Sequence, residues 1–272
     1  MRTRGNWLAA VLVVAGLAIT SCSASSPSAS SGGTGLIQAL ARVADTANTR
    51  SQVLYDDTAE LVHLAGNSPA SETGFAWLRG LGVPAAADGA EQVPGDAGFN
   101  LFGEDYGITA GSPPHTLSLM AGGQSVSRIT SHLAGLGWKH SGGRLIGPSL
   151  AAASPESAPL AEEMPQVLPA GSDAVYGGAA ANLSQMGSPH DATLARDPGV
   201  SALAQCLGNV VAAELFTGGY LGGKKPAAVA VGVSQPASNA ATPHAVACVS
   251  WPNQAAMTGY AAALRQALSN GT

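Results

Sequence analysis

The run Tyr106-Gly107-Ile108-Thr109-Ala110-Gly111-Ser112-Pro113-Pro114-His115-Thr116-Leu117-Ser118-Leu119-Met120-Ala121 decides the fold. Two short apolar, β-favouring stretches flank Gly-Ser-Pro-Pro, a turn composition, and the second alternates apolar with polar residues. The spacing predicts antiparallel strands over Tyr106–Ala110 and His115–Ala121. Immediately downstream, Val126, Ile129, Leu133 and Leu136 recur at helical spacing, which predicts a helix over Gln124–Leu136 with these four on one face. Trp138–Lys139 and Arg144–Ile146 around Ser141-Gly142-Gly143 then read as a second hairpin.

Upstream, Gln52–Tyr55 reads as a strand. Asp56 and Asp57 stand where a helix would be capped, the helix running through Leu64 and ending at Gly66. A further helix begins at Ser71, turns Phe75 and Leu78 inward, and is closed by Gly82 and Pro84. Beyond the central hairpin, the Ala-, Ser- and Pro-rich stretch from Pro148 reads as a linker over 148–162. Strands at 165–168 and 173–176 follow, and Asp197-Pro198 is an N-cap and first-turn pair for a helix reaching Phe216. Ala227–Ser234 and Ala245–Ser250 form another hairpin, and a final helix runs from Gln254 to Ser269. The expected class is α+β: antiparallel hairpins or a sheet, backed by helices on one face.

The two parts of this body resemble each other weakly. Val53-Leu54-Tyr55 matches Ala174-Val175-Tyr176, each followed eleven residues after the Tyr by a glycine. Pro113-Pro114-His115 matches Thr242-Pro243-His244 at the head of a strand. The offset is 121 residues at the tyrosines and 129 at the histidines, so a duplication would carry one longer loop. Two α+β halves, 35–147 and 163–272, are therefore expected, with chance similarity in an Ala- and Gly-rich chain as the alternative.

The beginning of the chain has a different character. Arg2 and Arg4 precede an apolar run from Trp7 to Ile19, which ends in Ile19-Thr20-Ser21-Cys22. Those thirteen apolar residues fall short of the roughly 20 that span a hydrocarbon core, and a charged head followed by a short apolar run is the pattern of an export signal. The order of features resembles the lipobox leader of bacterial lipoproteins. That resemblance covers the leader alone. It implies removal of residues 1–21, a diacylglyceryl thioether on Cys22, acylation (such as palmitoylation) of the new amine, and residence on the extracytoplasmic face of a membrane. A transmembrane anchor and a plain secretory leader are the alternatives. Residues 22–34 would then form a tether, because Ser23 to Thr34 contains only Ser, Ala, Pro, Gly and Thr and has nothing to bury.

Composition narrows the partners. Charged residues make up 11%, low for a globular protein, while hydrophobic residues reach 46% and support a packed core. Loss of Arg2 and Arg4 with the leader would leave ten basic residues against 17 acidic, a formal charge of −7. Nucleic acid is therefore not expected as a partner. The expected partners are the bilayer, through acylated Cys22, and a small molecule or another envelope protein. With Cys22 taken by lipid, Cys206 and Cys248 remain as a pair, expected to be bonded outside the cytoplasm, with two free thiols as the alternative.

Motif searches yield no G-x-S-x-G elbow, no S-x-x-K and no H-E-x-x-H. No cofactor and no metal is expected. Gly218, Gly219, Gly222 and Gly223 before Lys224-Lys225 would follow a helix rather than open one, unlike a phosphate loop. Acidic residues gather at Asp56-Asp57-Glu60 and at Glu104-Asp105, where capping competes with a functional role. The candidate ligand-binding residues are Tyr55, Asp56, Asp57 and Tyr106 at this acidic corner, with His115 and His244 as matched positions of the two halves. The expectation is a non-enzymatic, membrane-anchored binding or accessory module of the cell envelope. An extracytoplasmic hydrolase without a linear motif, or a structural subunit of an envelope complex, is the alternative.

Overall fold

The computed structural model describes residues 35–65, 75–87, 97–217, 228–238, 241–251 and, singly, 255, 258 and 259. The leader, the tether, the glycines of 218–223 and nearly all of the expected final helix, Gln254–Ser269, lie outside these residues. The fold is α+β around one antiparallel sheet of ten strands. These are β1 (Gln52–Asp56), β2 (Tyr106–Ala110), β3 (Leu117–Ala121), β4 (Lys139–Ser141), β5 (Arg144–Ile146), β6 (Gln166–Ala170), β7 (Asp173–Gly177), β8 (Val210–Thr217), β9 (Ala228–Ser234) and β10 (Ala245–Ser250). Across the sheet their order is β10-β9-β8-β1-β2-β3-β7-β6-β5-β4.

The hairpin at the centre forms as its sequence predicts, with Ile108 opposite Leu119 and Thr109 opposite Ser118. What alternation does not reveal is that β3 is buried on both faces. Leu117, Leu119 and Ala121 join a core with α1 (Gly35–Leu40) and α5 (Pro198–Leu207). Met120 joins a second core on the other face, with Ile129 and Leu133 of α3 (Val126–Gly135) and Leu160 of α4 (Ala158–Glu163). Ser118 is tolerated there because its hydroxyl lies 2.6 Å from that of Thr109, which donates to Gly82 O at 2.7 Å. Beside these cores, α2 (Thr58–Ala65) places Leu61 and Leu64 with Phe75, Leu78, Val211 and Ala212.

Three expectations need correction. Helices cover both faces rather than one, because the central strands carry apolar side chains on both sides. The helix expected to reach Phe216 stops at Leu207, where Gly208 takes a φ of +69°. Val210–Thr217 is instead β8, wedged between β1 and β9, where β-branched Val210 and Val211 suit a pleated surface. Finally, the 148–162 stretch is not merely a linker, since α4 begins inside it and buries Leu160 and Ala161.

Other expected elements stand with small changes. Ser125 caps α3 by accepting from Arg128 N–H, but Val126 is exposed while Ile129 and Leu133 are buried. Phe75 and Leu78 point inward as expected, on a 3₁₀ turn over Ala76–Leu78. The matched segments of the two halves do not occupy matched places: β1 pairs with β2, whereas four strands separate β7 from β9, the counterpart of β2. The sheet runs unbroken across the boundary between them.

Cys206 of α5 and Cys248 of β10 are bonded, with their Cα atoms 6.2 Å apart. The bridge fastens the outermost strand at that end of the sheet to the helix beneath it. In the chain-entropy model a bond closing a separation of 42 residues contributes about 4 kcal/mol. The double substitution Cys206→Ala/Cys248→Ala should therefore lower the unfolding free energy by about that amount, read as a fall in the urea midpoint with a steeper slope, because the unbridged unfolded chain is more expanded.

Candidate functional site

Strand β1 carries the acidic corner because Asp56 is its last residue and alternation turns it to the face opposite Tyr55. Asp56 is fully buried. Its Oδ1 accepts from Thr58 Oγ1 at 2.9 Å and from Gly107 N–H at 3.1 Å. Backbone N–H groups of Gly82 and Gly80 further favour its ionised form. Gly82 must approach closely, since a Cβ there would collide with Gly107 O and lie 2.7 Å from Asp56 N. Asp56 thus secures the 80–83 segment against β1 and β2.

Glu104 is buried beside it, and its Oε1 lies 3.4 Å from the same Thr58 hydroxyl. The remaining oxygens, Asp56 Oδ2 and Glu104 Oε2, are buried without a hydrogen-bond partner. Burial raises Asp56 to about 6 despite its hydrogen bonds. Burial, together with repulsion from Asp56, raises Glu104 to about 7. Only Glu104, and not its relation to Asp56, was visible in the sequence, where it read as part of a separate cluster.

The other corner residues divide between capping and packing. Asp57 caps α2 by accepting from Glu60 N–H at 3.1 Å, and partial burial raises its pKa. Tyr55 is buried in the α1 core, which raises its hydroxyl far above its ordinary value. Its ring centroid lies 6.3 Å from that of Tyr106. The Tyr106 hydroxyl accepts from Arg42 at 3.5 Å, and Arg42 pairs with Asp173 at 2.6 Å and donates to Gly187 O. The fold therefore gathers Tyr55, Asp56, Asp57 and Tyr106 at one end of the sheet, but as a packed structural corner rather than an open groove.

His115 and His244 are not brought together. Both are exposed, and five strand spacings of about 4.8 Å, roughly 24 Å in all, separate β3 from β10. His115 Nδ1 lies 3.0 Å from Ala180 O.

A half-open concavity lies elsewhere, at the opposite end of the same sheet face. It is a cleft of about 660 Å³ floored by Leu54 and Thr109 and walled by proline-bearing segments: Pro84, Pro113-Pro114, Pro148 and Pro165. Leu150 stands exposed at its rim, and Glu162 and Glu163 of α4 also line it. Thr116, another lining residue, has a buried hydroxyl without a partner. Sequence reasoning read these prolines as a helix end at Pro84, a turn at Pro113-Pro114, a linker from Pro148 and a strand start at Pro165; their clustering in space was not legible. A wider and far more open hollow of about 920 Å³ runs beside α3, past Ser125 and His140. Among the described residues no group of three or more His, Cys, Asp or Glu could hold a metal ion. No family model, no curated protein and no solved structure matches this chain.

The acid pair makes stability depend on pH. Both folded values, about 6 and about 7, lie above the ordinary 3.8 and 4.5, so the folded state binds more protons than the unfolded one between these limits. Its contribution is fully present below pH ~4 and is lost as pH rises through about 7. In thermal melts at fixed ionic strength, Glu104→Gln should flatten this decline and melt higher than wild type at pH 8; an unchanged profile would remove the acid pair as its source.

Proposed function

We propose that this chain is a lipid-anchored extracytoplasmic binding module that takes its ligand in the proline-walled cleft. The observation that carries the binding reading is the cleft itself. Its volume, about 660 Å³, lies within the range of small-molecule sites, its lining is largely apolar, and prolines fix the backbone of its walls before a ligand arrives. A rigid, preformed cavity loses little freedom on binding. The anchor reading is supported by Ile19-Thr20-Ser21-Cys22 behind its charged and apolar leader. The Cys206–Cys248 bond agrees with residence outside the reducing cytoplasm.

Hydrolysis is less well supported. The carboxyl groups with strongly raised pKa values are Asp56 and Glu104, and neither lines the cleft. They sit beneath the 80–83 segment, whose continuation through Pro84 and Ala85 forms one cleft wall. In this reading the acids hold a wall in place and do not touch ligand.

Two measurements test the proposal. Intact mass of the membrane form should show acyl chains on a chain beginning at Cys22, and Cys22→Ser should release the protein from membranes. Native mass spectrometry of protein purified from its own host should reveal a bound small molecule, absent from Ala85→Trp, which fills the cleft. A wild-type spectrum without adduct, or an adduct retained by Ala85→Trp, would overturn the cleft assignment.

A further inference from the structure

Two large apolar side chains stand in solvent at the acidic end of the sheet: Trp77 is 59% exposed and Phe102 46% exposed. Arg79 joins them, its guanidinium carbon 5.1 Å from the Phe102 ring centroid. Their position in the fold is set by short contacts. Gly82 presses on Gly107 and Asp56, which holds the segment carrying Trp77 and Arg79 against the ends of β1 and β2. Ala59 N–H donates to Asp105 O, and Asp105 N–H to Ala121 O, which fixes the loop bearing Phe102 at the same end.

The chain also enters the fold here. A Cβ built on Gly35 would lie 2.5 Å from the Tyr55 hydroxyl and 3.5 Å from Asp57 Oδ2. Only the twelve residues Ser23 to Thr34 separate Gly35 from Cys22. If they behave as a Gly/Ser-type coil, their root-mean-square span is about 20 Å. A lipid on Cys22 would thus hold this end of the body nearest the bilayer surface. The cleft residues Pro113, Pro114 and Thr116 belong to the opposite end.

We propose that Trp77 and Phe102 seat the tethered end of the body in the interfacial layer of the bilayer, turning the cleft away from the membrane. This rests on the lipid-anchored reading above. Amphipathic tryptophan rings favour the headgroup region, and a cation stacked on an aromatic ring can remain at headgroup depth. Asp57, Glu60 and Asp105 lie at this end too, so charge does not draw it to an anionic surface; the attraction is apolar. The acyl chains supply retention, and the two rings supply orientation.

The test uses full-length lipidated protein in phosphatidylcholine vesicles whose acyl chains are either brominated or not. Bromine quenches tryptophan only at close range, and the processed chain would contain Trp77, buried Trp138 and Trp251. Wild type should lose emission in brominated vesicles, and Trp77→Phe should lose none. Wild-type emission equal in both vesicles, with the protein floating with them, would overturn the orientation while leaving the anchor standing. Quenching that persists in Trp77→Phe would also overturn it. Wild type that fails to float, with no acyl mass on Cys22, would bring down both readings.

Discussion

Burial of β3 on both faces is the constraint from which the rest of the architecture follows. A strand with Leu117, Leu119 and Ala121 on one side and Met120 on the other cannot lie at the surface of a two-layer fold. It requires a cover on each face, and the chain provides α1 and α5 on one and α3 and α4 on the other. Its two edges are filled by β2 and β7. The polar residues admitted to this interior are paired among themselves, as Thr109 and Ser118 are, or tie a loop to the sheet, as Asp56 does. The acid pair is a costly exception, and its partners are backbone N–H groups and a shared hydroxyl rather than a cation.

How much of this was legible in the sequence depended on whether local chemistry or tertiary neighbours decided the outcome. The central hairpin, the cap at Ser125 and the β9–β10 pair were readable because turn residues and alternation act within a few positions. Val210–Thr217 was misread because apolar residues before and after Gly208 continue a helical spacing, and one glycine at positive φ overrides it. The second cover on the sheet was invisible for a related reason. Ser118 looks like a solvent-facing position until its hydroxyl partner, nine residues away, is seen.

The candidate site divides in the same way. Tyr55, Asp56, Asp57 and Tyr106 were correctly placed near one another, since β1 and β2 are adjacent strands. Their exposure was not legible, because Asp56 is covered by the 80–83 segment on one face and Tyr55 by the α1 core on the other. The matched histidines share a sequence context but precede strands at different places in the sheet, β3 near its centre and β10 at its edge. The cleft brings together prolines from four separate loops, and no pattern along the chain reports such a meeting.

The strand order carries one more consequence. β1 is paired on one side by β2 and on the other by β8, whose Phe216 lies opposite Gln52. During synthesis, the first strand to emerge must wait for most of the polypeptide before its second edge is occupied. Until then it exposes a row of unmet amides and carbonyls, the feature that invites mispairing. A chain wired this way matures late and all at once, and neither half can be expected to stand as an independent fragment.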